Sequence, residues 1–164
     1  MLIAIISDTH MPRGARRLPG VFAERIAAAD LLLHAGDCAT VEVLIELEAI
    51  GPPVVGVHGN VDTAELRRLL PAERVVEAGE ARIAMVHDAG PAARRLERMR
   101  ARFGARAGAL VFGHSHLPLH KRAGDGFQIF NPGSPTERRR APDHTMGLAR
   151  VRGTSVEFEL IRST

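Results

Sequence analysis

The chain has no Trp, no Tyr, one Cys and one Lys among its 164 residues. A single Cys, Cys38, excludes an internal disulfide framework and any thiolate zinc cluster built within the chain. A metal site here must therefore draw on His and oxygen donors. The apolar run Leu2 to Ile6 is far too short to cross a bilayer. The first residues show no basic segment leading to a small-residue cleavage site, so a cytoplasmic protein without a membrane partner is expected. The missing Trp and Tyr argue against a grip on single-stranded nucleic acid, which depends on aromatic stacking.

The lack of Lys and Tyr also explains a charge paradox. The formal charge is only +3, yet the sequence pI is about 10.3. Of the 22 basic residues, only Lys121 is Lys. Arg stays protonated to very high pH, so a small positive excess persists without implying a strongly basic surface. Arg residues do cluster between Arg94 and Arg106 and at Arg138-Arg139-Arg140. Within the first cluster Leu96, Met99 and Phe103 share one helical face. A solvated helix face is the plain reading, and a nucleic-acid surface the sharper one.

Apolar residues make up 45% and charged residues 25%, the composition of one folded domain over residues 1–164. Leu2–Ile6 reads as a buried strand, with further strands at 31–33, 54–57 and 109–112. Helices are expected over 18–29, 41–49 with Thr40 as cap, and 63–70. Strands 74–78 and 82–86 flank a turn at Gly79-Glu80. Pro91 suits the first turn of the Arg-rich helix, and Asp88 its cap. Strands follow at 119–122, 127–130, 145–152 and 155–161. Alternating strands and helices with a strand-rich tail predict a layered α/β domain.

Eight His are present, and several fall where strands end. The first strand runs into Asp8-Thr9-His10, the second towards Gly36-Asp37, and the third towards Gly59-Asn60. Two later strands end at His87 and at Gly113-His114-Ser115-His116. Open α/β sheets collect functional groups at the carboxyl ends of their strands. Two Asp, one Asn and four His form a nitrogen and oxygen donor set suited to Mn, Fe, Zn, Ni or Co. Seven donors exceed the needs of one tetrahedral ion and suit two. In extended segments residues two apart project alike, which would aim Asp8 with His10 and His114 with His116. Gly36, Gly59 and Gly113 would permit tight turns before the ligands.

In this order, Asp8-x-His10, Gly36-Asp37, Gly59-Asn60, His87 and Gly113-His114-x-His116 resemble the calcineurin-like metallophosphoesterase superfamily. The short length and Asn131-Pro132-Gly133-Ser134 look like its small single-domain phosphodiesterase branch, which also contains the retromer scaffold subunit. The resemblance implies a four-layer αββα sandwich of two mixed β-sheets flanked by helices. It implies two divalent transition-metal ions, manganese foremost. One ion would take Asp8, His10, Asp37 and His116, the other Asp37, Asn60, His87 and His114, with Asp37 bridging. A hydroxide between the ions would attack a phosphate ester in line.

The family pattern often carries His directly after Gly-Asn, where this chain has Val61. Alkyl phosphomonoesters, whose alkoxide leaving groups need a proton, are then disfavoured, and slow hydrolysis of diesters or aryl esters with better leaving groups is expected. His58 is a candidate stand-in, and Arg13 a candidate phosphate contact. Cys38 reads as a small apolar filler. Two rivals remain: a non-catalytic protein-interaction scaffold of the same fold, and a nuclease using the Arg clusters. Monomer and homo-oligomer are both compatible with the sequence.

Overall fold

The computed structural model describes residues 1–163, with ten strands and four α-helices in chain order. They are β1 (Leu2–Ile6), α1 (Gly20–Ala27), β2 (Leu31–His34), α2 (Val41–Glu48), β3 (Val54–Gly56), α3 (Ala64–Leu69), β4 (Glu73–Ala78) and β5 (Ala81–Val86). After these come α4 (Arg95–Phe103), β6 (Ala109–Val111), β7 (Leu119–Arg122), β8 (Gln128–Asn131), β9 (Thr145–Arg152) and β10 (Ser155–Arg162).

Two five-stranded mixed sheets result, with orders β10-β9-β1-β2-β3 and β4-β5-β6-β8-β7. In the first, β1, β2 and β3 run parallel, and β9 returns antiparallel against β1. In the second, β5, β6 and β8 run parallel, with β4 and β7 antiparallel at the edges.

The period of two along a strand assigns side chains to layers. Ile3 and Ile5 enter the core between the sheets with Leu33, Ile83, Met85, Val111 and Phe130. Ala4 and Ile6 face the other way, onto Phe22 and Ile26 of α1 and Val43 and Leu47 of α2. On the far side, Ala84, Leu110 and Ile129 pack under Met99 and Phe103 of α4. The layers are therefore α, β, β and α, the sandwich that the family resemblance implies.

Two expected caps are absent. Thr40 occupies the position before α2, but its side chain makes no capping hydrogen bond. The Arg-rich helix starts at Arg95 rather than at Pro91. Asp88 does not cap it; instead its carboxylate accepts from Gly90 N at 2.7 Å. Gly90 adopts a left-handed φ of 73°, and Arg94 one of 50°. Arg95 donates to the Gly90 carbonyl and Arg98 to those of Pro91 and Ala93, which holds residues 90–93 as a loop.

Candidate metal centre

The parallel strands of both sheets end on one side of the sandwich. Loops after β1, β2 and β3 come from the first sheet, and loops after β5 and β6 from the second. All seven ligand-type residues lie on these loops, as expected for the carboxyl edge of parallel strands.

Their convergence does not come from extended geometry. Asp8, His10, Asp37, His114 and His116 all have left-handed φ, between 46° and 69°. The alternation of a strand cannot apply at such residues. Each is a non-glycine residue in a sparsely populated region, and such strain concentrates at functional sites.

The side chains form two adjoining groups. Asp8, His10 and His116 make one, and Asp8, Asp37 and His87 the other, with one donor atom from each member within 4.8 Å of the rest. His10 Nε2 and His116 Nε2 are 3.3 Å apart. Asp8 Oδ1 lies 3.4 Å from His116 Nε2 and 3.9 Å from the Nε2 atoms of His10 and His87. Asp37 Oδ2 is 3.2 Å from His87 Nε2 and 3.6 Å from His10 Nε2, so it faces both groups. Asn60 Oδ1 extends the second group, 3.2 Å from His87 Nε2 and 3.0 Å from His114 Nδ1.

These contacts suit cations. Asp8 Oδ1 is a buried carboxylate oxygen with no hydrogen-bond partner. An acceptor left bare at such depth is costly unless a positive charge meets it. His87 Nδ1 lies 2.8 Å from the Ala35 carbonyl and His116 Nδ1 2.6 Å from that of Glu137. A carbonyl only accepts, so both Nδ1 atoms carry the proton, and in the neutral rings the Nε2 lone pairs point inward. Fixing the tautomer through the outer nitrogen is the usual support of a metal-ligating His. The donors present therefore fit divalent metal ions.

Close approach, more than turn geometry, explains the glycines. Of Gly36, Gly59 and Gly113, only Gly36 has a positive φ, 95°. A Cβ there would fall 2.5 Å from His87 Nδ1. At Gly59 a Cβ would collide with the Asp37 carboxylate, and at Gly113 with Ser7 Oγ and Asp8 Oδ2.

Two buried side chains outside the seven hold the loops together. Asp62 accepts three backbone N–H groups, from Gly59 at 2.6 Å, Ala39 at 2.7 Å and Asp37 at 3.2 Å. It thereby ties the β2 loop to the β3 loop. His34 accepts from Gly36 N through Nδ1 at 3.2 Å, so its Nε2 carries the proton towards Thr9 Oγ1, also at 3.2 Å. That chain ties the β2 loop to the β1 loop. The Gly-Asn-x-Asp spacing contained the signal for Asp62, whereas nothing local marked His34.

The electrostatics follow from burial and charge. Burial raises the Asp37 carboxyl, but the hydrogen bond and charge of His87, the Val61 N–H and His10 outweigh it and bring it down to about 2. Burial also opposes ionisation of Asp8; His10, His87, His116 and Ser7 reverse the balance and lower it. For His87 burial favours the neutral ring, yet Asp37, Asp8 and the Ala35 carbonyl raise it. For His116 burial prevails and lowers it. Complete burial lowers His34 to about 4, which keeps it neutral. Burial, reinforced by the charge of Asp62, pushes the Cys38 thiol up. Cys38 packs with Phe22, Val43 and Leu47 as the filler the sequence suggested.

The remaining candidates divide. His58 lines a cavity of about 310 Å³ with Asn60, His87 and Asp88. Arg13 is exposed on the loop after β1. On the same side Arg16 pairs with Glu137 at 2.8 Å, and Glu137 Oε2 comes within 3.7 Å of His10 Nε2. Val61 is 40% exposed, while its N–H donates to Asp37 Oδ1 at 2.9 Å.

The Arg cluster is largely engaged within the fold. Arg102 and Arg106 pair with Glu73 and lie over Phe103; Arg100 pairs with Asp125; Arg95 lies over Phe112. Of the two remaining His, His120 meets Gln128 Oε1 at 2.8 Å and packs edge-on against Phe130 and Phe158. His144 offers its carbonyl to Ser163 N.

Comparison with known proteins bears on fold and family. The model of the calcineurin-like phosphoesterase superfamily domain matches residues 1–154. A probable metallophosphoesterase of Methanothermobacter thermautotrophicus is 35% identical over 166 aligned residues, covering 99% of this chain and 93% of its own. A second, from Methanocaldococcus jannaschii, is 34% identical, covering 85% of this chain and 70% of its own. Among solved structures, protein TM1076 of Thermotoga maritima superposes with a TM-score of 0.75 at 28% identity, covering 99% of both chains. Zinc-complexed Vps29 of Entamoeba histolytica shares the fold at a TM-score of 0.78 and 22% identity, again over 99% of both chains. Paired sheets, donors on their shared edge and a match along nearly the whole chain agree: this protein belongs to the calcineurin-like phosphoesterase superfamily.

Proposed function

We propose that the protein is a phosphodiesterase working with two divalent ions, with Mn²⁺ the leading candidate over Fe, Zn, Ni and Co. The supporting observation is the partnerless buried Asp8 Oδ1 facing the Nε2 atoms of three His. One ion falls to Asp8, His10, Asp37 and His116. The other falls to Asp37, Asn60, His87 and His114, with Asp37 shared because its Oδ2 faces His10 and His87. When bound, such ions polarise a phosphate ester and acidify the water that attacks it.

The chain's own part is to place and tune those donors. The Val61 N–H holds Asp37 Oδ1, which leaves Oδ2 directed at the His groups. The carbonyls of Ala35 and Glu137 hold the protons of His87 and His116 on the outer nitrogens. Val61 has no proton to give a departing alkoxide. That supports aryl esters, and diesters with comparably good leaving groups, as substrates; His58 stands on the wall of the cavity that Asn60 and His87 also line.

Hydrolysis of bis-p-nitrophenyl phosphate with added Mn²⁺ tests this reading. Wild type should turn over, while Asp37→Ala and His116→Ala should not. Equal inactivity of all three across several metals overturns it and favours the second reading, a protein-interaction module. The likeness to Vps29 supports that alternative; the complete set of seven donors supports the enzyme. A nuclease is less favoured, since most of the Arg cluster is engaged with Glu73, Asp125 and phenylalanine rings.

A further inference from the structure

Beside Asn60 and His87 lies a charged side chain that neither the donor set nor the fold's ion pairs use. Arg67, on α3, lines the cavity of about 310 Å³ together with His58, Asn60, Ala72, Val86 and Asp88. Arg100, Arg102 and Arg106 each meet a carboxylate. Among the described residues Arg67 meets none within 4 Å. Instead its Nε donates to the Asp62 carbonyl at 3.0 Å, and its Nη2 to the Asn60 carbonyl at 2.5 Å.

Those two bonds hold the guanidinium by one edge. A guanidinium carries five N–H groups, so three remain for another acceptor. The fork geometry matches a phosphate or carboxylate better than an isolated ammonium would. Because the backbone already orients the group, little further ordering accompanies ligand binding. Arg67 touches the main chain of Asn60, whereas the Asn60 side chain faces His87 and His114. The cation is thus set to one side of the donors that would take the scissile phosphoryl group. Ala72 and Val86 supply apolar wall between polar groups.

We propose that Arg67 forms a subsite for a second anionic group, a phosphate or carboxylate, carried elsewhere on the same phosphate-ester substrate. The subsite rests on the phosphodiesterase reading but can fail independently of it. The test compares two p-nitrophenyl diesters with Mn²⁺ present. One carries a 2-carboxyethyl group as its second ester, and the other the neutral methyl ester of that group.

Wild type should favour the carboxylate through KM. Arg67→Gln should raise KM for the carboxylate substrate about tenfold more than for the neutral one, the loss of one charge-assisted contact. Arg67→Lys should recover part of the difference. A role confined to holding the Asn60 loop would depress kcat for both substrates alike and leave their ratio unchanged. An unchanged ratio, or no preference in wild type, overturns the subsite while the phosphodiesterase reading stands. Failure of wild type to cleave either ester with any of several metals overturns both.

Discussion

Replacing Asp62 by Ala removes a carboxylate 5% exposed that accepts three backbone N–H groups. Oδ2 serves Gly59 and Asp37, and Oδ1 serves Ala39. A hydrogen bond to a charged group is worth about 1.5–3 kcal/mol, and an orphaned buried donor costs a similar amount. Water entering the vacated space would relieve part of this, so a total loss of about 3–5 kcal/mol follows. For a chain of this size that lowers the melting temperature by about 10 °C. Asp62→Asn should lose about half as much, because one amide oxygen can serve Gly59 and Asp37 while the NH₂ faces the Ala39 N–H. The assay is thermal unfolding of the chelator-treated protein followed by circular dichroism. A parallel titration with Mn²⁺ should show affinity falling about 10–100-fold, the usual effect of losing an outer support. An Asp62→Ala melting temperature within about 2 °C of wild type, or unchanged metal affinity, would refute the assignment of Asp62 as the latch between the two loops.

Gly113→Ala should destabilise the chelated protein by about 1–3 kcal/mol and weaken Mn²⁺ binding, since the new methyl collides with Ser7 and Asp8; denaturant titration with and without the metal checks both. For His34 the folded value, about 4, lies below the unfolded 6.5. The unfolded chain therefore binds the extra proton first, and His34 makes stability fall as pH drops from about 6.5 towards 4. His34→Gln should flatten that part of the pH profile of the chelated protein; an unchanged slope counts against a buried neutral imidazole.

Legibility differed between layers and loops. The strands were readable because Leu2–Ile6 and Ala109–Val111 are short apolar runs, and β7 and β9 match the expected bounds at both ends. The start of the Arg-rich helix was not, because Arg95 and Arg98 spend their donors on the carbonyls of the preceding loop, a tertiary choice that helical periodicity does not encode. The seven donor residues could be named from spacing at strand ends, and they do converge. Their aim comes not from strand alternation but from left-handed backbone at five of them. His34, Asp62 and Arg67 act through partners in neighbouring loops, up to 25 residues away for His34 and Asp62, and such partners leave little trace in a linear pattern.

The donors that meet at Asp8 come from both sheets, with Asp8 and His116 separated by 108 positions along the chain. No hairpin or helical segment can assemble the pocket alone; it exists only once the two halves of the sandwich have closed face to face. An ion seated there acts as a clasp across the seam, and its binding energy adds to global stability in proportion to the logarithm of free metal. Chelation should consequently soften the whole molecule rather than one loop. Complementary fragments cut between β3 and β5 should rejoin more tightly when the clasp is filled.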